Sequence, residues 1–247
     1  MGTGLTMVDV AAQINATHPR TRMVAVSRHG LLPTAHVRRG LRPLDGFRPD
    51  TSSLSRLLRD VRSRVEEVEQ VGGDWRDVVD SMRPFADDLW SALDDEDRER
   101  FVRHVARRWE VLRHRMAPDM AELVDDLQAD GTLRIALPDA VEPDSFSRVV
   151  NCSGPAPVCT PGWNAVVDRL TARGLLRPNA LGLGADVQAD GSLVGTAGDP
   201  TPNLYAVGAA RRGVAWEVAA IPDIRRQASS LAELLLAGDG SARALPA

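Results

Sequence analysis

The chain has 247 residues, of which 43% are apolar and 26% are charged, a balance typical of a folded protein and not of a disordered one. Its 34 acidic and 30 basic residues leave a formal charge of −4, which provides no positive field for non-specific nucleic-acid binding. Every basic residue apart from histidine is arginine, so chemistry that needs lysine, such as Schiff-base formation, is excluded.

Several other classes of protein are excluded by features that the sequence lacks. No run approaches the roughly 20 apolar residues of a membrane-spanning helix, and the first residues do not resemble a secretion signal, so no membrane association is expected. The two cysteines, Cys152 and Cys159, do not form a disulfide framework, and the histidines show no paired spacing, so no metal site is expected. We therefore expect a cytoplasmic protein.

The first 50 residues predict a helix followed by a strand. Val8, Ala11 and Ile14 lie at helical spacing, and Pro19 ends the helix. The apolar run at 23–26 predicts a buried strand. Recurrent proline and glycine then predict a loop, marked by Pro33, Gly40, Pro43, Gly46 and Pro49.

Residues 51–130 have the pattern of a helical block. Apolar residues recur every three or four positions over 54–68, which predicts a helix that Gly72 and Gly73 close. The same periodicity predicts further helices over 75–82, 101–112 and 118–127.

Residues 131–247 return to short strands, predicted at 133–137, 148–151 and 204–207. Asp190-Gly191 is typical of a hairpin turn, because both residues tolerate a positive φ. A closing helix is predicted over 224–236 and a frayed tail over 238–247. The fold class predicted for the whole chain is α/β.

The opening residues contain the first candidate binding site, for a nucleotide diphosphate. Gly2, Thr3, Gly4, Leu5 and Thr6 lead directly into the first helix, as in the turn that binds a dinucleotide diphosphate at a helix N-terminus. The third glycine of the usual fingerprint is replaced by Met7, so the match is incomplete. The alternative is an ordinary glycine turn.

A second nucleotide contact is predicted where the strand at 23–26 ends in Ser27 and Arg28. This is the position at which a dinucleotide fold meets the adenosine ribose. An arginine there favours the 2′-phosphate of NADP over the bare hydroxyl of NAD. The alternative is a solvated surface arginine.

A dinucleotide fold also needs a buried strand before its glycine turn, and here only Met1 precedes Gly2. Without that strand, neighbouring strands would keep unpaired backbone groups. We expect either that another segment fills this position or that the chain is the downstream part of a longer reading frame whose start codon is assigned too late.

Residues 2–9 and 27–33 resemble the second nucleotide-binding segment of a bacterial FAD/NAD(P)-binding protein family, which includes FAD-dependent urate hydroxylase-like and L-aspartate N-monooxygenase-like proteins. Further ordered similarities span most of the chain, at 113–118, 149–155, 181–184, 204–208, 211–213, 216–217 and 221–225. The resemblance implies a partial Rossmann-type FAD/NAD(P)-binding fold with a helical insert. Its regions would be a nucleotide-binding segment at 1–50, the insert at 51–130, and a return segment with a closing helix at 131–247.

The resemblance also implies which residues contact the cofactors FAD and NADPH. Ser153 and Gly154 would approach a cofactor edge, Gly208 would make room for the flavin, and Pro222 would open the closing helix near it. An ordinary strand-to-loop turn is the alternative at 153–154. The resemblance implies that the flavin's own glycine turn lies in an N-terminal module outside this sequence.

The arginines of the helical insert are candidates for binding an anionic substrate. Arg113 and Arg115, in a stretch with Arg107 and Arg108, would clamp a carboxylate or a urate-like molecule. The alternative is a solvated helix face paired with nearby glutamates.

The function that these observations predict is an FAD- and NADPH-dependent oxidoreductase of the monooxygenase type. Its partners would be O₂ and a small polar or anionic substrate. Two alternatives stay open: a truncated, non-catalytic chain that binds a partner, and an NADP-binding fragment that works with a separate flavin-binding chain.

Overall fold

A computed structural model describes residues 1–40, 42, 44 and 47–237, and its elements are mixed helix and strand. The helices are α1 Leu5–Thr17, α2 Leu54–Gln70, α3 Trp75–Ser81, α4 Ala86–Ala92, α5 Asp95–Arg100, α6 Ala106–Arg113, α7 Pro118–Ala129, α8 Ala165–Ala172 and α9 Ile221–Ala237. The strands are β1 Met23–Val26, β2 Leu133–Ala136, β3 Ser192–Val194 and β4 Pro200–Tyr205. The predicted tail at 238–247 and the predicted loop residues Pro43 and Gly46 lie outside the described residues.

The chain forms two compact units. The first contains residues 1–50, 54–82 and 100–155, and the second contains 51–53, 83–99 and the residues from 156 onward. Each unit therefore collects segments that are distant in sequence.

A two-stranded parallel sheet lies in the first unit. β1 pairs with β2 in a register that runs from Met23 opposite Leu133 to Val26 opposite Ala136. Helices α1 and α7 pack against each other, and their apolar residues bury a common core with the sheet. The buried members of this core are Met7, Val8, Ala11, Ala25, Met116, Val124, Leu127, Leu133 and Cys152.

Residues 51–130, predicted as a helical block, form helices α2 to α7, and these residues are divided between the two units. In helix α2 the fully buried residues are Leu54 and Val68. After the helix, the Gly73 N–H donates to the Val68 carbonyl at 2.8 Å and so closes its last turn. The helix predicted over 101–112 begins earlier, since α5 continues into a π-helical turn at Phe101–Val105 before α6.

The second unit contains an antiparallel pair, β3 and β4, and the predicted turn at 189–192. The Gly191 N–H donates to the Gln188 carbonyl, and the Ser192 N–H donates to the Asp190 carboxylate at 2.9 Å. This turn joins residues 186–188 to β3, because the Gln188 N–H donates to the Ser192 carbonyl at 2.9 Å, so the predicted hairpin turn is confirmed before β3 and not between β3 and β4.

Two local predictions differ from the structure. Residues 148–151 do not form a strand, although two consecutive valines favour one, because a strand needs a hydrogen-bonded neighbour along its length. Helix α8 was not predicted, yet the Asn164 side chain caps it by accepting from the N–H groups of Val166 and Val167.

Candidate functional site

The glycine turn at the N-terminus lies at the end of β1. The Gly2 N–H donates to the Val26 carbonyl at 2.7 Å, and Gly2 has a φ of +101°. A methyl group at Gly2 would lie 2.3 Å from the Cys152 carbonyl oxygen, so only glycine fits this close approach. Packing therefore requires the first glycine of the motif.

Gly4 is different, because nothing in the structure requires a glycine there. It is the N-cap of α1 with extended backbone, and a methyl group would meet nothing within 4 Å. Leu5 and Thr6 follow it and are exposed. Since the first N–H groups of a helix have no partner within the helix, this open surface presents amide donors and the positive end of the α1 dipole.

Thr3 connects the glycine turn to the loop after β1. Thr3 is buried, and its hydroxyl donates to the Leu31 carbonyl at 2.7 Å and lies 2.9 Å from the Ser27 hydroxyl oxygen. The Ser27 oxygen also accepts from the Gly30 N–H. The structure thus brings together the two predicted nucleotide contacts, at 2–6 and at 27–28.

Arg107 of α6 joins the same network. Its Nη2 donates to the Leu31 carbonyl at 2.9 Å and to the Thr3 carbonyl at 3.3 Å. Burial lowers the pKa of the Arg107 guanidinium, and among the described residues it has no ion-paired carboxylate. A partly desolvated cation beside the N-terminus of a helix is an arrangement that favours an anion.

Three more predicted residues of the first unit are Arg28, Ser153 and Gly154. Arg28 is exposed and lies two residues after the end of β1. It forms no ion pair with any described residue. The Ser153 N–H and hydroxyl both donate to the Asn151 side-chain oxygen, and the Cys152–Ser153 backbone contacts Gly2. Gly154 is exposed next to them.

The two arginines predicted to bind a substrate have different surroundings. The Arg115 side chain is 1% exposed and forms a two-point contact with the Asp80 carboxylate at 2.9 and 3.2 Å. Arg113 is the last residue of α6, and its Nε atom is buried. Binding of a substrate by either residue stays a prediction, and Arg115 already has an ionic partner.

Gly208 and Pro222 lie in the second unit. The Gly208 N–H donates to the Gln227 side-chain oxygen at 2.7 Å, and a methyl group at Gly208 would lie 3.6 Å from Ile224. Pro222 is the second residue of α9, so it does occupy the first turn of the closing helix. The roles of both toward a flavin stay predictions.

A buried carboxyl group distinguishes the second unit. Burial raises the pKa of Asp87, and the charges of Asp223 and Glu217 raise it further against the opposing effect of Arg226 and Arg211. The Asp87 Oδ1 and Asp223 Oδ2 atoms are both buried without a hydrogen-bond partner. The ionised form of Asp87 is therefore destabilised in the folded protein.

We expect Asp87→Asn to stabilise the protein at pH 7 by about 1 kcal/mol and to have little effect at pH 4. A carboxyl whose pKa is raised by folding contributes its full stability below the ordinary pKa, near 3.8, and that stability is lost as the pH rises through the higher folded value. Urea unfolding at both pH values measures the difference. Asp199→Asn, at an exposed position of the same unit, is the matched control, and an equal gain at both pH values would contradict the assignment.

Sequence reasoning selected Thr3 as part of the glycine turn, but it did not select Arg107 as the cationic neighbour of that turn. The only signal for Arg107 was its place in an arginine-rich helix, where nothing separates it from Arg108. Neither a membrane-spanning helix nor a group of three potential metal ligands occurs within the described ranges 1–40, 42, 44 and 47–237. Comparisons with protein-family models, with curated proteins and with solved structures find no match to this chain.

Proposed function

We propose that the first unit binds the diphosphate of NADPH at its glycine turn and that the chain acts in an FAD- and NADPH-dependent oxidoreductase of the monooxygenase type. The observation that carries this proposal is the open amide surface at 4–6 with the partly buried Arg107 beside it. Backbone donors, a helix dipole and a partly buried guanidinium that forms no ion pair among the described residues together favour a ligand with two or more negative charges.

The connectivity of the first unit supports a Rossmann-type arrangement. The chain passes from the glycine turn through α1 into β1, and Gly2 is hydrogen-bonded to the end of that strand. β1 then has a parallel neighbour, β2, as sheets of this class require. A ligand at the carboxyl end of β1 would lie where such folds bind nucleotides.

The residue that favours NADPH over NADH as the nucleotide also lies at the carboxyl end of β1. Arg28 lies two residues after the end of β1 and is exposed, so its guanidinium is available for a 2′-phosphate. The dinucleotide would thus contact the turn at 2–6 through its diphosphate and Arg28 through its adenosine ribose.

In enzymes of this type, NADPH reduces a flavin that then activates O₂ to hydroxylate a small substrate. The chain's own residues bind and orient the nucleotide, while Ser153, Gly154, Gly208 and Pro222 are the positions proposed for the flavin. No side chain is required as a nucleophile in this proposal.

A second candidate is an NADP-binding protein that works with a separate flavin-binding chain. The observation that favours it is the Gly208 amide, which the Gln227 side chain already occupies. A yellow purified protein with a flavin spectrum would support the first candidate. A colourless protein that binds NADPH would support the second.

Replacing Arg107 by methionine is expected to weaken NADPH binding by about 10- to 100-fold, because a charge-assisted contact of roughly 1.5–3 kcal/mol is lost. Isothermal titration calorimetry measures the dissociation constant. Arg108→Met, at an exposed position one residue further along α6, should bind NADPH as the unchanged protein does. The proposed site would be refuted if the Arg107 variant bound NADPH as tightly as the unchanged protein does, or if the unchanged protein did not bind NADPH.

Arg28→Glu is expected to weaken NADPH binding by about tenfold or more and to leave NADH binding nearly unchanged, because only NADPH carries the 2′-phosphate. Titrating the variant with each nucleotide measures the ratio of the two dissociation constants. A uniform loss for both nucleotides would assign Arg28 to the fold and not to cofactor choice.

A further inference from the structure

A groove extends along the exposed side of helix α2 in the first unit. It has a volume of about 440 Å³, within the roughly 300–1,000 Å³ that is typical of small-molecule sites, and it contains none of the residues proposed to contact a cofactor. At about 3.6 residues per turn, its lining residues all fall on one side of the helix. They are Ser55, Leu58, Arg59, Arg62, Ser63 and Glu66.

Two guanidinium groups in the groove are available to a ligand. Arg59 and Arg62 are exposed, and neither forms an ion pair or a side-chain hydrogen bond with any described residue. Arg64 of the same helix differs, because it pairs with the Glu67 carboxylate at 2.8 Å. Residues three positions apart on a helix are neighbours, so the Arg59 and Arg62 side chains can reach the same anion. Together they provide matching charge and hydrogen-bond donors for one phosphate dianion.

Polar groups without positive charge lie on either side of this arginine pair. Ser55 lies one turn before Arg59 and Ser63 lies one turn after it, and neither hydroxyl donates to a residue that the structure describes. The exposed Glu66 carboxylate lies one turn after Arg62 and, when ionised, is an acceptor only. It opposes a second negative charge at that end of the groove and can accept from hydroxyl groups of a ligand. The groove therefore suits one phosphate group on a molecule rich in hydroxyls, and not a polyanion.

We propose that the α2 groove binds a small polyhydroxylated phosphate monoester, the chemical class of the sugar phosphates. Arg59 and Arg62 hold the phosphate group. The serine hydroxyls and the Glu66 carboxylate bind hydroxyl groups of the ligand, and the half-buried Leu58 provides an apolar wall for its carbon skeleton. Because all of these residues belong to α2, the site does not depend on NADPH binding at the glycine turn.

The experiment titrates the purified protein with glucose 6-phosphate in about 150 mM NaCl and follows the backbone amides of 55–66 by NMR. Their signals should shift to saturation with a dissociation constant on the order of 1 mM or below. Glucose alone and inorganic phosphate alone should each bind at least about fivefold more weakly, because each makes only part of the contacts. Reading the affinity at 55–66 separates this site from the glycine turn, where the amides at 4–6 report any binding independently.

Variants of exposed arginines test the assignment without disturbing the core. Arg59→Gln and Arg62→Gln should each weaken glucose 6-phosphate binding by at least about threefold, and together by about tenfold or more. Arg64→Gln is the matched control on the same helix and should leave the affinity unchanged, since Arg64 does not line the groove. Unchanged affinity in the double variant, an equal loss in Arg64→Gln, or no saturable shift at 55–66 up to about 20 mM ligand would overturn the proposal and leave a solvated helix face. Equal affinity for inorganic phosphate would also overturn it, because the hydroxyl contacts would then contribute nothing.

Discussion

Replacing Arg115 by alanine is expected to lower the free energy of unfolding by about 3–5 kcal/mol, because it leaves the Asp80 carboxylate without its buried partner. The Arg115 side chain is 1% exposed, and its guanidinium also donates from Nε to the Leu112 carbonyl and lies over the Trp75 ring. Urea unfolding followed by circular dichroism measures the change.

Two further variants test the physical reason for this expectation. Arg108→Ala removes an exposed arginine from α6 and should change stability by less than about 0.5 kcal/mol. Arg115→Lys keeps the charge but not the two-point contact, so it should recover only part of the loss. If Arg115→Ala is no more destabilising than Arg108→Ala, the ion pair does not hold the segment that follows α6 against α3.

The second large effect is expected at Gly2, where alanine should lower the free energy of unfolding by about 2–4 kcal/mol. The added methyl group would require a φ of +101° and would lie 2.3 Å from the Cys152 carbonyl oxygen. Either the turn or the segment at 152–153 must therefore move. Thermal and urea unfolding both measure the loss.

Gly4→Ala is the matched control, and it separates packing from ligand binding. Alanine at Gly4 meets nothing within 4 Å and adopts an ordinary backbone conformation, so stability should change by less than about 1 kcal/mol. NADPH binding should nevertheless weaken, since the methyl group would occupy space next to the amides at 4–6. A stability loss equal to that of Gly2→Ala would contradict the difference between the two glycines.

Local sequence patterns were sufficient for most elements of the first unit. The strand predicted at 23–26 is β1 with the same bounds, and the helix predicted over 118–127 is α7, ending two residues later at Ala129. Proline at the first position of α7 and a continuous apolar run at β1 act within a few residues of themselves. The hairpin turn at Asp190-Gly191 was predictable for the same reason.

Long-range contacts account for the places where the structure differs from the sequence predictions. Residues 148–151 have a strand-like sequence but no strand, because pairing depends on a neighbour that the sequence pattern cannot supply. In the same way, an arginine-rich helix does not reveal which guanidinium is buried. Arg115 finds Asp80, which lies 35 residues away, and Arg107 finds Thr3, which lies 104 residues away.

The sequence by itself determined an α/β chain with a glycine turn that opens a helix, because hydrophobic periodicity and turn residues act over short distances. Only the tertiary structure decided that Gly2 is needed for packing while Gly4 is not, and that Arg107 contacts the turn while Arg115 binds a carboxylate. These assignments depend on which backbone and side-chain groups meet when distant segments pack together, because a buried charge is stabilised only by the groups that packing brings next to it.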